Sequence, residues 1–284
     1  MLQVIVSDGG SADETVQILR RYPQIQWWSA RDDGLVDAVN KAFAVATGEI
    51  LAIQSSDDFY LPDAFGLSIG ELMQDSSLGI VSGCDVYVQP DRATFSCSQL
   101  DAHEITPRSL LLRRVIPQHC AFFRREILDQ VGGLRSCIAE GAEIDLWYRA
   151  LHFVQGRFLP YHTAAYQFHA DQRTLKGDRW YESLTRMVES CDADKRFAER
   201  FRLEEADRKE LYQRWMLQEA QRAGDNERIA SLTTALLAQS SDETRSFLAL
   251  HGFIPKPTRP PQPLHPNHRV PDLQWCMRGK RSAA

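Results

Sequence analysis

The stretch Glu49-Ile50-Leu51-Ala52-Ile53-Gln54-Ser55-Ser56-Asp57-Asp58 decides the fold of this chain. Glu49 to Gln54 has the length and apolar content of a buried strand. Thr47-Gly48 just ahead of it ends a helix, because glycine readily takes the left-handed conformation of a helix C-terminus. Ser55-Ser56-Asp57-Asp58 then breaks the strand in a polar turn, and Pro62 is placed to open the next helix, where its missing N–H has no partner to lose.

The same alternation runs upstream. Leu2 to Ser7 is a β-branched apolar run that stops at Asp8-Gly9-Gly10-Ser11, and Ser11 or Asp13 can cap a helix over Glu14 to Arg21. Ile25 to Ser29 reads as a second strand, followed by Arg31-Asp32-Asp33-Gly34 and an amphipathic helix, Leu35 to Ala46. That helix carries Leu35, Ala38, Val39, Ala42 and Phe43 on its core face. Strands alternating with helices predict an α/β domain with a mostly parallel sheet flanked by helices. Ligands of such sheets sit beyond the carboxyl ends of the strands, where Asp8 and Asp57-Asp58 fall.

Downstream, Gly79 to Val88 predicts one or two strands, Glu104 to Arg114 a polar connection with helical character, and Ile116 to Phe123 a buried strand. Arg124 to Val131 is a helix closed by Gly132-Gly133. Glu143 to Leu151 is another, with acids at its start, where the helix dipole favours them. Arg157 to Phe168 is extended. Beyond Asp178 come charged helical segments, Trp180 to Ala220 and Asn226 to Leu250, and then a proline-rich stretch from Pro255 that cannot donate the hydrogen bonds of a packed element. The expected organisation is an α/β domain over 1–177, a helical extension over 178–252 and an extended or disordered tail over 253–284.

With 284 residues, 43% of them hydrophobic and 25% charged, the chain suits one main folded domain with an appendage. A net charge of −5 argues against nucleic acid as a partner, since that takes a basic face. No apolar run approaches the roughly 18 residues of a spanning helix, and the N-terminus lacks the basic and apolar regions of a signal peptide. A cytoplasmic protein is expected, with at most peripheral contact at the inner face of the cell membrane, for which Arg278-Gly279-Lys280-Arg281 offers positive charge. The six cysteines show no CxxC spacing, so reduced thiols are expected and not a zinc site or a disulfide framework.

An Asp-Asp pair after a buried strand suits magnesium or manganese, which prefer oxygen ligands and often take one or two carboxylates plus phosphate oxygens and water. Taken alone, the same dipeptide also makes a solvated turn that caps the next helix. Its neighbours decide between the two. Val4-Ile5-Val6-Ser7-Asp8-Gly9-Gly10-Ser11-Ala12-Asp13-Glu14-Thr15, Asp32-Asp33-Gly34-Leu35-Val36-Asp37-Ala38-Val39-Asn40-Lys41, Ala46-Thr47-Gly48-Glu49-Ile50 and Ser56-Asp57-Asp58-Phe59-Tyr60-Leu61-Pro62 resemble, in order, segments of family 2 glycosyltransferases. Pro117-Gln118-His119-Cys120-Ala121-Phe122-Phe123-Arg124-Arg125, Val131-Gly132-Gly133-Leu134 and Glu143-Ile144-Asp145-Leu146-Trp147-Tyr148-Arg149 continue the resemblance, which covers Leu2 to Lys176.

The resemblance implies a GT-A fold and an inverting transfer from a nucleotide-diphosphate sugar, most often a UDP-sugar, to a saccharide or lipid-linked acceptor. It implies a divalent metal, Mn2+ or Mg2+. Carried over position by position, Asp8 would hydrogen-bond the base or ribose, Asp32 would sit near the nucleoside, and Asp57 would face the donor. Asp58 would ligate the metal, and Glu143 would be the general base, with Glu140 in reserve. His169 falls where related enzymes often carry a histidine after the last strand of the domain; it would complete the metal shell or touch the diphosphate, and Arg173 or Lys176 would add positive charge there. His119 reads as an acceptor-side or core residue.

Family members carry a further strand and helix ahead of the segment that matches Leu2 to Ser7, so a domain lacking its first strand-helix unit is expected. That would open an edge in a buried sheet. Two other readings stand beside the enzyme. One is a non-catalytic glycosyltransferase-like partner protein. The other is a nucleotidyltransferase, which also sets carboxylates and metal at strand ends but has a glycine-rich basic loop that is not found here.

Overall fold

The computed structural model describes residues 2–88, 94–95, 102–112, 116–138, 140–169, 179–238, 242–250 and 253–254. The proline-rich stretch, the basic cluster near the C-terminus, Arg173 and Lys176 lie outside the described residues.

The N-terminal alternation forms as the pattern predicts: β1 (Ile5–Asp8), α1 (Thr15–Leu19), β2 (Gln26–Ser29), α2 (Leu35–Val45) and β3 (Ile50–Ala52). Next come β4 (Phe59–Tyr60), which falls inside the acidic segment, and α3 (Ala64–Gln74). That helix does not open at Pro62: Asp63 takes a left-handed φ of 66° and the helix begins after it. β5 (Leu78–Val88) is one continuous strand, buried on both faces along nearly its whole length, which makes it the spine of the sheet. β6 (Thr94–Phe95), β7 (His103–Ile105), α4 (Pro107–Leu112), β8 (Ala121–Arg124), α5 (Glu126–Val131), α6 (Ala142–Ala150) and β9 (Gln155–Gln167) complete the sheet region. A single 3-10 turn, Gln118–Cys120, occupies the start of what the sequence predicts as one strand to Phe123.

The α/β class with flanking helices holds, but the sheet is mixed and not mostly parallel. β1 and β2 pair parallel in a sheet of their own. The larger sheet runs β3-β8-β5-β9-β4, with β6 on β5 and β7 on β9. In it only β5 and β9 run parallel, while β8 lies antiparallel to both β3 and β5. The βα alternation that signals parallel crossovers ends at β3. A local pattern reports the existence of a later strand but not the direction in which it inserts.

Helices cover both faces. Ala64, Ser68 and Leu72 of α3, four apart, are buried against Leu78, Val81, Phe122 and Leu159. On the other face α2 contributes Val39 and Phe43, whose ring meets Phe123 edge-on at 5.9 Å. Leu35, expected on that core face, is 40% exposed because it sits at the first position of the helix, beyond the sheet.

The C-terminal helices are α7 (Trp180–Ala193), α8 (Lys195–Ala198), α9 (Glu205–Ala223), α10 (Asn226–Leu237) and α11 (Asp242–Leu250). Their apolar residues, including Leu184, Met187, Leu211 and Leu236, share one continuous core with Leu110, Trp147 and Phe158 of the sheet region. Arg108 of α4 grips Asp207 of α9 with Nε and Nη2 at 2.8 and 2.9 Å. Among the described residues no helix is long and apolar enough to cross a membrane.

One buried charge cluster fixes α6. Asp145, fully buried, accepts hydrogen bonds from both Arg135 and Arg149, and Arg149 also donates to the carbonyls of Val131 and Gly133 while Arg135 reaches Ser190 Oγ on α7. Removing the acid would leave two guanidinium groups without their counter-charge. Asp145→Ala is expected to lower unfolding free energy by about 3–5 kcal/mol in urea titration. A loss below about 1 kcal/mol would show that water replaces the carboxylate.

Candidate active site

The site builds from three loops at the carboxyl ends of β1, β2 and β3, closed from the side by the end of β9. In the first loop Asp8 is buried, and its carboxylate organises the turn. Oδ2 accepts from Gly10 N at 3.2 Å, Ser11 N at 2.9 Å and Ser29 Oγ at 2.6 Å, and Oδ1 accepts from Ser11 Oγ. The hydroxyls of Ser11 and Ser29, ahead of the backbone amides, hold this carboxyl down to about 2. Gly10 has φ +91°, a left-handed conformation in the turn that leads from β1 toward α1.

Asp32 belongs to the loop after β2. Its Oδ1 accepts from Gly34 N at 2.9 Å, and its carboxylate lies so close over Gly9 that a β-carbon there would come within 2.9 Å of Oδ2. The glycine therefore lets the two acidic loops meet, and Asp8 and Asp32 share one corner of the edge.

The turn after β3 carries Asp57 and Asp58 and is clamped by β9. Gln167 N donates to Asp58 Oδ1 at 3.1 Å, and Gln167 Nε2 donates to the Asp57 carbonyl at 2.5 Å. His169 Nε2 lies 2.8 Å from Asp57 Oδ2, and both side chains are about two-fifths exposed. The Asp58 side chain is only 3% exposed and points inward, with Oδ2 3.7 Å from His119 Nδ1. His119 Nε2 lies 3.4 Å from Asp85 Oδ2. The structure thus brings together Asp57, Asp58 and His169 and adds Asp85, His119 and Gln167. His119 contacts the acidic turn itself, which is where its two earlier readings, acceptor side and core, meet. Local motifs point to neither Asp85 nor Gln167. The one signal for Asp85 is a carboxylate inside the apolar run Leu78 to Val88.

Burial pushes the Asp58 carboxyl up to about 6, and the nearby Asp57 and Asp85 charges add to the rise, against the pull of His119 and the Gln167 amide. The folded value stands above the ordinary 3.8, so the contribution to stability is complete below about pH 4 and is lost as pH rises through 6. Without a divalent ion, the chain is expected to lose about 2–3 kcal/mol of stability from this group between pH 4 and 7.5, and Asp58→Asn to flatten that change. Urea unfolding at the two pH values checks it. Equal slopes for both proteins would show that Asp58 ionises freely in the folded chain.

The donor set fits a hard divalent cation. Asp57 and Asp58 offer carboxylate oxygens, His169 offers an imidazole, and a cation would relieve the crowding of Asp57, Asp58 and Asp85. Among the described residues no group of three or more histidines, cysteines or acids is arranged to enclose a metal by itself.

The remaining candidate stands on α6. Glu143 lies half-buried in its first turn, while Asp145 is occupied by the two arginines. Glu140, the reserve, accepts at Oε1 from Arg179 N at 2.9 Å and donates its backbone N–H to Ser183 Oγ at 3.2 Å, so it joins α7 to this loop. Arg173 lies outside the described residues.

Residues 2–132 match the family model described as Glycosyl transferase family 2. The chain is 27% identical over 152 residues to the chondroitin synthase of Escherichia coli, covering 52% of this chain and 22% of that protein. It is 24% identical over 181 residues to the hyaluronan synthase of Pasteurella multocida, covering 62% and 18%. The chain thus spans only about a fifth of the length of these relatives. Among solved structures it superposes on S. aureus TarS 1-349 in complex with UDP-GlcNAc with a TM-score of 0.57 and 15% identity, covering 77% of this chain and 64% of that one. It also superposes on the mannosyltransferase PcManGT from Pyrobaculum calidifontis, in complex with GDP-Man and Mn2+, with a TM-score of 0.53 and 19% identity, covering 89% and 70%.

A mixed sheet between helices, with acidic turns after its strands, is the GT-A fold that these structures share. The similarity to glycosyltransferase family 2 is carried by residues 2–132, a little under half of the chain.

Proposed function

We propose that this chain transfers a sugar, with inversion, from a nucleotide-diphosphate donor, a UDP-sugar, to a hydroxyl of a saccharide or lipid-linked acceptor, in the building of a surface polysaccharide. The observation that carries the reading is the Asp57-Asp58 turn at the end of β3, one carboxylate open and one buried, clamped by Gln167 and flanked by His169. The polysaccharide synthases among the relatives support the acceptor class. The nucleotide sugars bound by the structural neighbours support the donor class.

In this reading Asp8 shapes the first loop, Asp32 faces the nucleoside from the second, and Asp57 faces the donor. Asp58 and His169 would hold Mn2+ or Mg2+. Such an ion, when bound, supplies positive charge to the departing diphosphate. Glu143 takes the proton of the acceptor hydroxyl as that oxygen attacks the anomeric carbon. The bond from that carbon to the diphosphate oxygen breaks, and its electron pair leaves with the nucleotide. Attack from the face opposite the leaving group inverts the centre with no covalent intermediate. Arg173 would add charge at the diphosphate. The work would be done in the cytoplasm, with peripheral contact at the membrane where a lipid-linked acceptor is presented.

The test is release of UDP from UDP-sugars with and without Mn2+, comparing the chain with Asp58→Ala. Cation-dependent turnover that needs Asp58 supports the reading. Its absence from the unaltered chain would favour a non-catalytic partner protein instead.

A further inference from the structure

Behind the acidic turn lies a line of polar groups that the proposed reaction does not use. Asp85 sits within β5 and is 2% exposed, between the equally buried Cys84 and Val86. His119, 7% exposed, stands between it and Asp58. Apolar residues of similar volume are commonly tolerated or stabilising where ionisable groups are buried, so the fold alone does not account for these two.

The geometry supplies the reason. Asp58 Oδ1 is fixed by the Gln167 amide at 3.1 Å, and Oδ2 faces His119 Nδ1 at 3.7 Å. On the far side of the ring Nε2, buried and without a hydrogen bond, lies 3.4 Å from Asp85 Oδ2. Tyr166 stacks on the imidazole, with centroids 5.3 Å apart and planes 29° apart. Asp85 and Tyr166 belong to β5 and β9, the two central strands, and Asp85 is in register with Ala164. The ring is therefore supported from two strands that pair with each other, next to the irregularity in their register between Cys84 and Asp85.

We propose that His119, oriented by Asp85 and Tyr166, is a positioning residue for Asp58. It holds that carboxylate in the one orientation in which a divalent cation and the donor diphosphate can share it. The inference rests on the reading of Asp58 as a metal ligand. A ligand oriented in advance loses less freedom on binding, and partners that orient ligands typically account for about 10- to 100-fold in metal affinity.

The experiment measures Mn2+ binding to the full chain in the presence of UDP, from the electron paramagnetic resonance signal of free Mn2+, with circular dichroism to confirm folding. His119→Ala is expected to weaken binding about 10- to 100-fold. His119→Asn, whose amide can occupy the place of Nδ1, is expected to recover most of it. Asp85→Asn is expected to weaken binding about tenfold alone and to add nothing to His119→Ala, because it acts through the ring. Should His119→Ala fail to fold, the near-isosteric Asp85→Asn decides the matter, since it alone must then weaken binding. Native affinity in His119→Ala, or a lack of rescue by asparagine with full additivity, overturns the positioning role while leaving the metal reading intact. No Mn2+ uptake by the unaltered chain overturns both.

Discussion

Replacing Asp58 with alanine is expected to lower cation-dependent sugar transfer by about a thousandfold, the equivalent of several kcal/mol of charge stabilisation lost at the leaving diphosphate. The expectation follows from where the carboxylate lies. Its side chain is almost fully buried, fixed on one oxygen by the Gln167 amide and faced on the other by His119, so no neighbour can move in to replace it. The same substitution should not weaken the fold at neutral pH without a cation, because it removes a carboxyl whose ionisation the interior resists. A collapse of turnover with stability unchanged or raised is the signature of a chemical role. Turnover within about tenfold of the unaltered chain would take the metal away from this residue.

Glu143→Gln is expected to reduce turnover by about 10²- to 10⁴-fold while leaving the KM for the donor nearly unchanged, since the amide cannot accept the acceptor proton. Glu143 holds the position that the family resemblance assigns to the base, and the acids beside it have structural work of their own. Asp145 is bound by Arg135 and Arg149, and Glu140 caps the chain at Arg179. Glu143 stands half-buried on the first turn of α6, after Gly141, whose left-handed φ of 70° sets the direction of that turn. Glu140→Gln should mainly loosen the docking of α7, seen as lower stability with kcat preserved. The reverse result, an inactive Glu140→Gln beside an active Glu143→Gln, would move the base to the reserve position.

Much of this was legible before any coordinates. The chain signals β1, α2, β3 and α6 locally, by apolar period and by glycine and proline punctuation; α2, β3 and α6 form within a residue or two of their expected bounds, and β1 begins three residues later than expected. The acidic turns are legible for the same reason, since glycine or serine beside the carboxylates marks the end of the strand, whereas Asp85, inside β5, carries no such mark. The direction of β8 was not legible, because antiparallel pairing with both β3 and β5 depends on a connection whose path no local period encodes. Nor was β4, whose two residues pair with β9 and not with anything near them in sequence.

The sequence by itself determined the α/β class of the domain, its family resemblance and the carboxylates after its strands, because each follows from residue types at short spacing. Tertiary structure alone decided what each carboxylate does. It turned Asp8 inward as the organiser of its loop, set Asp57 against His169, and buried Asp58 toward His119 and Asp85, residues 61 and 27 positions further along the chain. The physical reason is that the state of an acid is set by burial, neighbouring charge and hydrogen bonds, and these come from strands that meet only when the sheet closes.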